Sequence, residues 1–253
     1  MMLGLGANLM LKNGGGAASA FDPTTVSGMA AWWAARKESF ANNDPVGTAT
    51  DWTGNGLSLT QTTASAKPTF VTNAKNGQPA FDLDGVDDYL DGSNILNIGT
   101  GSIHFFAVAA FDSAAGNQVL FSKADYFDST VPRYGASGIT SGTWWNILTD
   151  TTPTTHQLTP GTADTSWHLF EYVLNRDTGV FSVILDGTQI ASQAGIPAGN
   201  LTSTDVFVLG AWGEAQGFFA NAKVAEIWCW QRVLTAGERT TLRDGANSLY
   251  SIY

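Results

Sequence analysis

Four carboxylates fall within seven residues of one another, Asp82, Asp84, Asp87 and Asp88, in the run Phe81-Asp82-Leu83-Asp84-Gly85-Val86-Asp87-Asp88-Tyr89-Leu90. Like charges at this density are costly unless water solvates them, backbone N–H groups cap them, or a hard cation such as Ca²⁺ neutralises them. Two readings satisfy that constraint: a Ca²⁺ site built from the four aspartates, or turn-capping aspartates on a solvated loop. The regular Asp-x-Asp-x-Asp-Gly spacing with a distal glutamate is missing, so the run is no EF-hand. Asp84-Gly85 supplies a tight turn, after which Tyr89 and Leu90 re-enter an apolar face.

Other chemistry finds less material. Glycoside hydrolysis needs two carboxylates flanking the bond, about 5–5.5 Å or 6.5–9.5 Å apart, but the five glutamates (Glu38, Glu171, Glu214, Glu226, Glu238) form no alternating acidic strand. Glu226 is read as a partner of Arg232 or of a backbone group. His104 and His168 fall in strand patterns and His156 in a Thr-rich loop, without paired metal spacing. Gly14-Gly15-Gly16 precedes no strand–helix unit and is no phosphate loop. No serine sits in a nucleophile elbow. The chain therefore reads as non-enzymatic, with no catalytic residues and no required cofactor; a structural Ca²⁺ is one of the two readings of the aspartate run.

Sugar binding has more to work with, since it needs aromatic faces with amide, carboxylate or guanidinium groups beside them. Arg133 with Tyr134, the pair Trp144-Trp145, and Trp212 with Glu214 flank turn-rich stretches and are the candidate carbohydrate residues. Adjacent residues of a strand point to opposite faces, so only one of Trp144 and Trp145 can enter the core, and the same holds for Trp32-Trp33. The outward member of each pair is a ligand platform or packs under a loop or subunit. Trp228 and Trp230 share a face and read as core.

The elements that must position these residues are strands. Of 253 residues only 13% are charged while 43% are hydrophobic, with 28 Gly and 9 Trp. That composition excludes intrinsic disorder and suits an all-β domain with many turns. Twelve Lys+Arg against 22 Asp+Glu leave a net charge of −10, which argues against binding nucleic acid. Strand patterns recur at 102–109, 118–122, 144–148, 167–174, 206–210 and 224–230, and 181–185 meets 189–191 across Asp186-Gly187, a hairpin signal. Thr235 with Glu238 fits a capping box, and Leu242, Ala246 and Leu249 recur at helical spacing, giving a short helix over 236–248. Cys229 is the single cysteine, so there is no intrachain disulfide and no cysteine zinc site, which points away from a secreted eukaryotic module. Residues 1–20 form an apolar, Gly-rich arm with Met1, Leu3, Leu5, Leu9 and Leu11 as its docking side chains. Its apolar stretch is shorter than the ~20 residues of a membrane span, so no membrane insertion is expected.

Three stretches in order, Asp51-Trp52-Thr53-Gly54-Asn55-Gly56-Leu57, Asn76-Gly77-Gln78-Pro79 through Leu90, and Ala225-Glu226-Ile227-Trp228 through Arg232-Val233-Leu234-Thr235, resemble the laminin-G-like branch of the concanavalin A-like lectin/glucanase family, in its bacterial and phage form. The resemblance covers 21–253 and implies a two-sheet antiparallel β-sandwich, or jelly roll, whose relatives often carry a structural Ca²⁺. It leads to the expectation of a structural and adhesive virion component of a tailed phage, a capsid decoration, head spike or tail attachment protein. Residues 1–20 would dock on other virion proteins or on copies of the chain itself, and the jelly roll would bind a host-surface glycan. The alternative is a carbohydrate-binding module of a bacterial surface or secreted protein, placed at the cell surface or outside the cell; a glycoside hydrolase is the third.

Overall fold

The computed structural model describes residues 21–123, 132–151, 155–196, 199–213 and 217–253. In chain order its strands are β1 (Met29–Ala34), β2 (Thr48–Ala49), β3 (Leu59–Thr60), β4 (Thr69–Lys75), β5 (Gln78–Asp84), β6 (Leu90–Asp91), β7 (Ile103–Phe111) and β8 (Asn117–Lys123). There follow β9 (Arg133–Thr140), β10 (Thr143–Thr149), β11 (Thr155–Leu158), β12 (His168–Asn175), β13 (Val180–Leu185), β14 (Thr188–Ala194), β15 (Phe207–Leu209), β16 (Asn221–Trp230) and the helix α1 (Ala236–Tyr250). The strands form two antiparallel sheets packed face to face, the expected sandwich. One runs β14-β13-β12-β7-β16-β5-β4 with β1 also on β16; the other runs β11-β10-β9-β8-β15-β6-β3-β2.

Strand β7 shows why the layers stack as they do. Every one of its residues is buried, yet successive side chains must leave on opposite faces. Ile103, Phe105, Ala107, Ala109 and Phe111 enter the core between the sheets. Phe106 and Val108 point the other way, into a second core closed by α1 through Leu242, Ala246 and Tyr250. Strand β16 divides likewise: Ile227 and Cys229 face the other sheet, and Trp228 and Trp230 lie beneath the helix. Trp32-Trp33 splits between the same two cores, so its outward member packs beneath the helix layer and is no ligand platform. Burial pushes the Cys229 thiol pKa up, as suits an inert core side chain.

Local chemistry sets the ends of these elements. Asp186 and Gly187 both take positive φ, +50° and +80°, which is the type I′ turn that an Asp-Gly pair favours in a two-residue hairpin. Helix α1 starts on the expected capping box, with Thr235 Oγ1 accepting from the Glu238 N–H and the Glu238 carboxylate accepting from the Thr235 N–H. It runs two residues further than its sequence periodicity, to Tyr250, because the Tyr250 ring is held in the second core and its hydroxyl donates to Glu226 at 2.6 Å.

Two buried glutamates fasten the helix layer. Glu226, 1% exposed, accepts from the indole N–H groups of Trp32 and Trp228, each at 2.8 Å, and pairs with Arg36 at 2.6 Å. Its expected partner Arg232 instead pairs with Glu238 at 2.7 Å. Glu171 pairs with Arg243 at 2.5 Å and Arg239 at 3.1 Å on α1, and lies 3.4 Å from His104. Burial alone would raise the Glu171 pKa, yet His104, Arg243 and Arg239 hold it below its ordinary value. Burial conversely lowers the pKa of His104. Removing one member of a buried charge pair leaves the other uncompensated, at a cost of about 3–5 kcal/mol. Glu226→Gln is therefore expected to lose about 3 kcal/mol in urea unfolding, whereas Glu238→Gln at the half-exposed pair loses about 1 kcal/mol.

Candidate functional site

The outer face of the second sheet carries a cleft of about 340 Å³. In the rows that cross β8, β9 and β10, Val119 pairs with Gly138 and Gly138 with Trp145, while Ser122 pairs with Gly135 and Gly135 with Ile147. The two glycines let indole rings lie down on the sheet. A Cβ on Gly138 would stand 2.7 Å from the Gln118 carbonyl oxygen and 3.1 Å from the Trp145 ring; one on Gly135 would stand 3.5 Å from the Trp212 ring. Trp145 and Trp212 then pack together with centroids 4.9 Å apart, and Val119, Ile147 and Phe218 complete a small apolar cluster.

The loop that brings Trp212 here is tied to β8. Ser122 Oγ donates to the Ala211 carbonyl at 2.9 Å and accepts from the Gly213 N–H at 3.1 Å, while the Val119 N–H donates to the Phe218 carbonyl at 2.9 Å. The Arg133 guanidinium lies 5.8 Å from the Trp212 ring centroid, and its Nε donates to Thr149 Oγ1 at 3.1 Å. Trp212 is 1% exposed, so it supports the site from below, and Trp145 is the indole with a partly open face. Asn117, Thr140 and Gln157 add polar groups at the rim. The cleft thus offers an aromatic face bordered by carboxamides, a hydroxyl and one guanidinium.

Of the residues singled out from the sequence, Arg133, Trp145 and Trp212 meet here. Tyr134 and Trp144 do not, because strand alternation turns them inward. Tyr134 donates its hydroxyl to the Leu96 carbonyl at 3.0 Å, and Trp144 packs edge-on to Phe170 and tilted against Phe111. Both are corrected to core residues. Glu214 and the arm residues Met1, Leu3, Leu5, Leu9 and Leu11 lie outside the described residues. Asn117, Gln157 and Phe218 were missed. The signal that would have marked this face is Gly135 and Gly138 in mid-strand, since strand glycines accompany close approach of another group.

The acidic run resolves into a turn and an ion pair. Asp84 Oδ1 accepts from the Val86 and Asp87 N–H groups at 2.8 and 3.3 Å, and Asp88 Oδ2 accepts from the Asp84 N–H at 3.1 Å. Asp84, Asp87 and Asp88 each bring a carboxylate oxygen within 4.8 Å of the others. Asp82 is not among them: its register on β5 places it opposite Lys223 of β16, 3.4 Å away, and Lys223 also pairs with Asp112. Backbone amides thus absorb part of the crowding. The rest falls on Asp88, where desolvation and then the neighbouring Asp84, Asp87 and Asp82 charges push the pKa up to about 7.

The histidines occupy three separate places. His104 lies with Glu171 beneath α1, His156 meets Gln193 at 3.0 Å, and His168 is held between Asp186 at 2.6 Å and Asp164 at 2.9 Å. His156 belongs to β11 and not to a loop. Among the described residues no helix is long and apolar enough to cross a membrane.

No protein-family model matches the chain, and no curated protein matches it. Solved structures do. Domain 4 of AbnA, a GH43 extracellular arabinanase from Geobacillus stearothermophilus, determined in complex with arabinotriose, aligns with a TM-score of 0.61 at 13% identity, over 86% of this chain and 98% of that one. The binding domain of Paraclostridial Mosquitocidal Protein 1 aligns with a TM-score of 0.59 at 10% identity, over 83% and 52%. The binding domain of botulinum neurotoxin serotype D aligns with a TM-score of 0.59 at 12% identity, over 86% and 51%. The chain spans about half the length of these two toxin binding domains. At such identities the likeness is one of fold alone, a two-sheet antiparallel β-sandwich.

The acidic turn sets a pH dependence. A carboxyl whose pKa rises on folding favours the fold in its neutral form. Its contribution is complete below the unfolded value near ~4 and is lost as the pH climbs through about 7. Asp88→Asn, uncharged throughout, is expected to flatten the decline in unfolding free energy across that window. Urea titrations at a series of pH values in EDTA check it; an unchanged slope means that Asp88 is not the group responsible.

Proposed function

We propose that the chain is a non-catalytic adhesive module that binds glycans on Trp145, in the cleft on the outer face of the second sheet. The observation that carries this reading is the Trp145–Trp212 pair, set down on Gly138 and Gly135 and rimmed by Asn117, Thr140 and Gln157. A sugar ring has an apolar C–H face and a fringe of hydroxyls, and an open indole bordered by carboxamides answers both. The sandwich likeness to a domain solved with arabinotriose and to two toxin binding domains supports the same direction.

A binding role also suits the placement of the acids. Arg133 is the charged residue lining the cleft, and no carboxylate among the described residues lines it. Glu171 and Glu226 are engaged beneath α1, Glu38 accepts from the Thr50 N–H at 2.7 Å, and Glu238 caps the helix. A glycosidase would need two carboxylates facing each other across the bond it breaks.

The finer form of the proposal is a laminin-G-like jelly roll of the phage or bacterial type, acting at a virion or cell surface. Its support is the three motifs in order and the apolar arm; the arm lies outside the described residues, and the comparisons add nothing to the virion part. The calcium expectation is carried forward with a narrower donor set, Asp84, Asp87 and Asp88 without Asp82. Hard carboxylate oxygens suit Ca²⁺, and a cation there would neutralise the turn without touching the cleft.

Two experiments test these statements. On a glycan array followed by calorimetry, the protein is expected to select saccharides, and Trp145→Ala to weaken binding about 30-fold, or ~2 kcal/mol, with folding checked by circular dichroism. Saccharide binding that survives Trp145→Ala undiminished would move the site elsewhere. For calcium, thermal unfolding in excess Ca²⁺ against EDTA is expected to show a gain, about 2.7 kcal/mol at a hundredfold excess over Kd, that Asp88→Asn removes. An identical transition in both buffers rejects the ion.

A further inference from the structure

A second cavity, of about 250 Å³, opens beside the first, and the two share Asn117 and Gln118 as lining residues. The partition between them is rigid. Gln118 Nε2 donates to the Ser113 and Ala115 carbonyls at 2.7 and 2.8 Å, and its Oε1 accepts from the Asn221 N–H at 2.8 Å, so its amide is spent on backbone. Asn117 is exposed on top of the partition, its Oδ1 accepting from Thr140 Oγ1 at 2.8 Å, which leaves its amide N–H groups to whatever lies above. The consecutive residues Phe218 and Phe219 serve one cavity each, because Phe218 takes a φ of +54° and turns the chain between them. The second cavity therefore repeats the makeup of the first: one aromatic ring, Phe219, with polar side chains, Ser113, Asn221 and Asp84, around it.

We propose that the two cavities are consecutive subsites of one trough, and that the ligand is a linear oligosaccharide crossing Asn117 from the Trp145 end to the Phe219 end. This rests on the glycan reading above and gives it a substrate class. Together the cavities fall within the ~300–1,000 Å³ of small-molecule sites, and repetition of an aromatic face with polar rim groups matches a ligand that repeats one chemical unit. A peptide adding as a strand would need an open sheet edge. Strand β8 offers none, being paired with β9 on one side and β15 on the other.

Ala115 is exposed on the rim of the second cavity alone, so Ala115→Trp fills that cavity and leaves the first untouched; Ala115→Ser is the control. Linear arabino-oligosaccharides and cello-oligosaccharides of about two to six units are titrated into the three proteins by calorimetry. For the series that binds, affinity is expected to rise with length by about tenfold in the wild type and the serine variant. In Ala115→Trp the rise is lost and the affinity for the disaccharide is kept. Affinity that does not depend on length, or a hexasaccharide bound equally well by Ala115→Trp, overturns the trough while leaving the cleft at Trp145 intact. If neither series binds the wild type and the array shows no saccharide, the glycan reading falls, and the trough with it.

Discussion

The central strand β7, and β16 from Val224 onward, have no face for water, and the rest of the molecule follows from that. A strand alternates its side chains, so a strand buried throughout needs cover on both sides. The second sheet covers one side, and α1, with Trp32, Trp228 and Trp230, covers the other. Once the helix is committed to the first sheet, that sheet's middle is closed to ligands. The second sheet has no such cover, and its outer face holds the cleft. Which outer face stays open is thus decided by which sheet the helix must protect.

The same constraint explains how a chain with so few charges spends several of them inside. Helix α1 meets the sheet across an interface that contains Glu171 and Glu226 as well as apolar side chains. Glu171 is met by two arginines and an imidazole, and Glu226 by one arginine, two indoles and a tyrosine hydroxyl. Apolar packing fixes that the helix lies down but only loosely at which rotation. Buried acids that must find Arg239, Arg243 and Tyr250 admit one register, because any other leaves a charge desolvated without a partner.

Much of this was legible in the sequence, and what was not has particular causes. Strong alternation marked β7, β8, β10, β12, β13, β15 and β16, Asp186-Gly187 marked the hairpin, and Thr235 with Glu238 marked the start of α1. The two-residue strands β2, β3 and β6 carry no period to read, and β9 was hidden because its glycines break the apolar pattern. Those glycines are also what admits Trp145 and Trp212, so the feature that hides the strand is the one that builds the site. Trp145 could be assigned to a face only as one of a pair, since alternation says that Trp144 and Trp145 diverge and not which of them points inward. The partners of Glu226 were illegible for a different reason: Arg36 and Tyr250 lie 190 and 24 residues away in the chain, and only the closed sheet brings them together.

The binding proposed at the cleft rests on a surface that is already in place. An aromatic platform is useful to a weakly binding ligand only if the ring is already in place, since ordering a loose side chain costs about 0.5–1.5 kcal/mol of the interaction. Trp145 is held from below by Trp212, and Trp212 by a loop that Ser122 fixes at both flanks. Gly138 removes the one Cβ that would lift the ring off the sheet. Gln118 in turn fixes the partition through three backbone bonds. None of these supports has to touch a ligand, yet each removes a freedom that binding would otherwise have to restrict. A sandwich closed on one side by its helix leaves such a preformed surface open on the other.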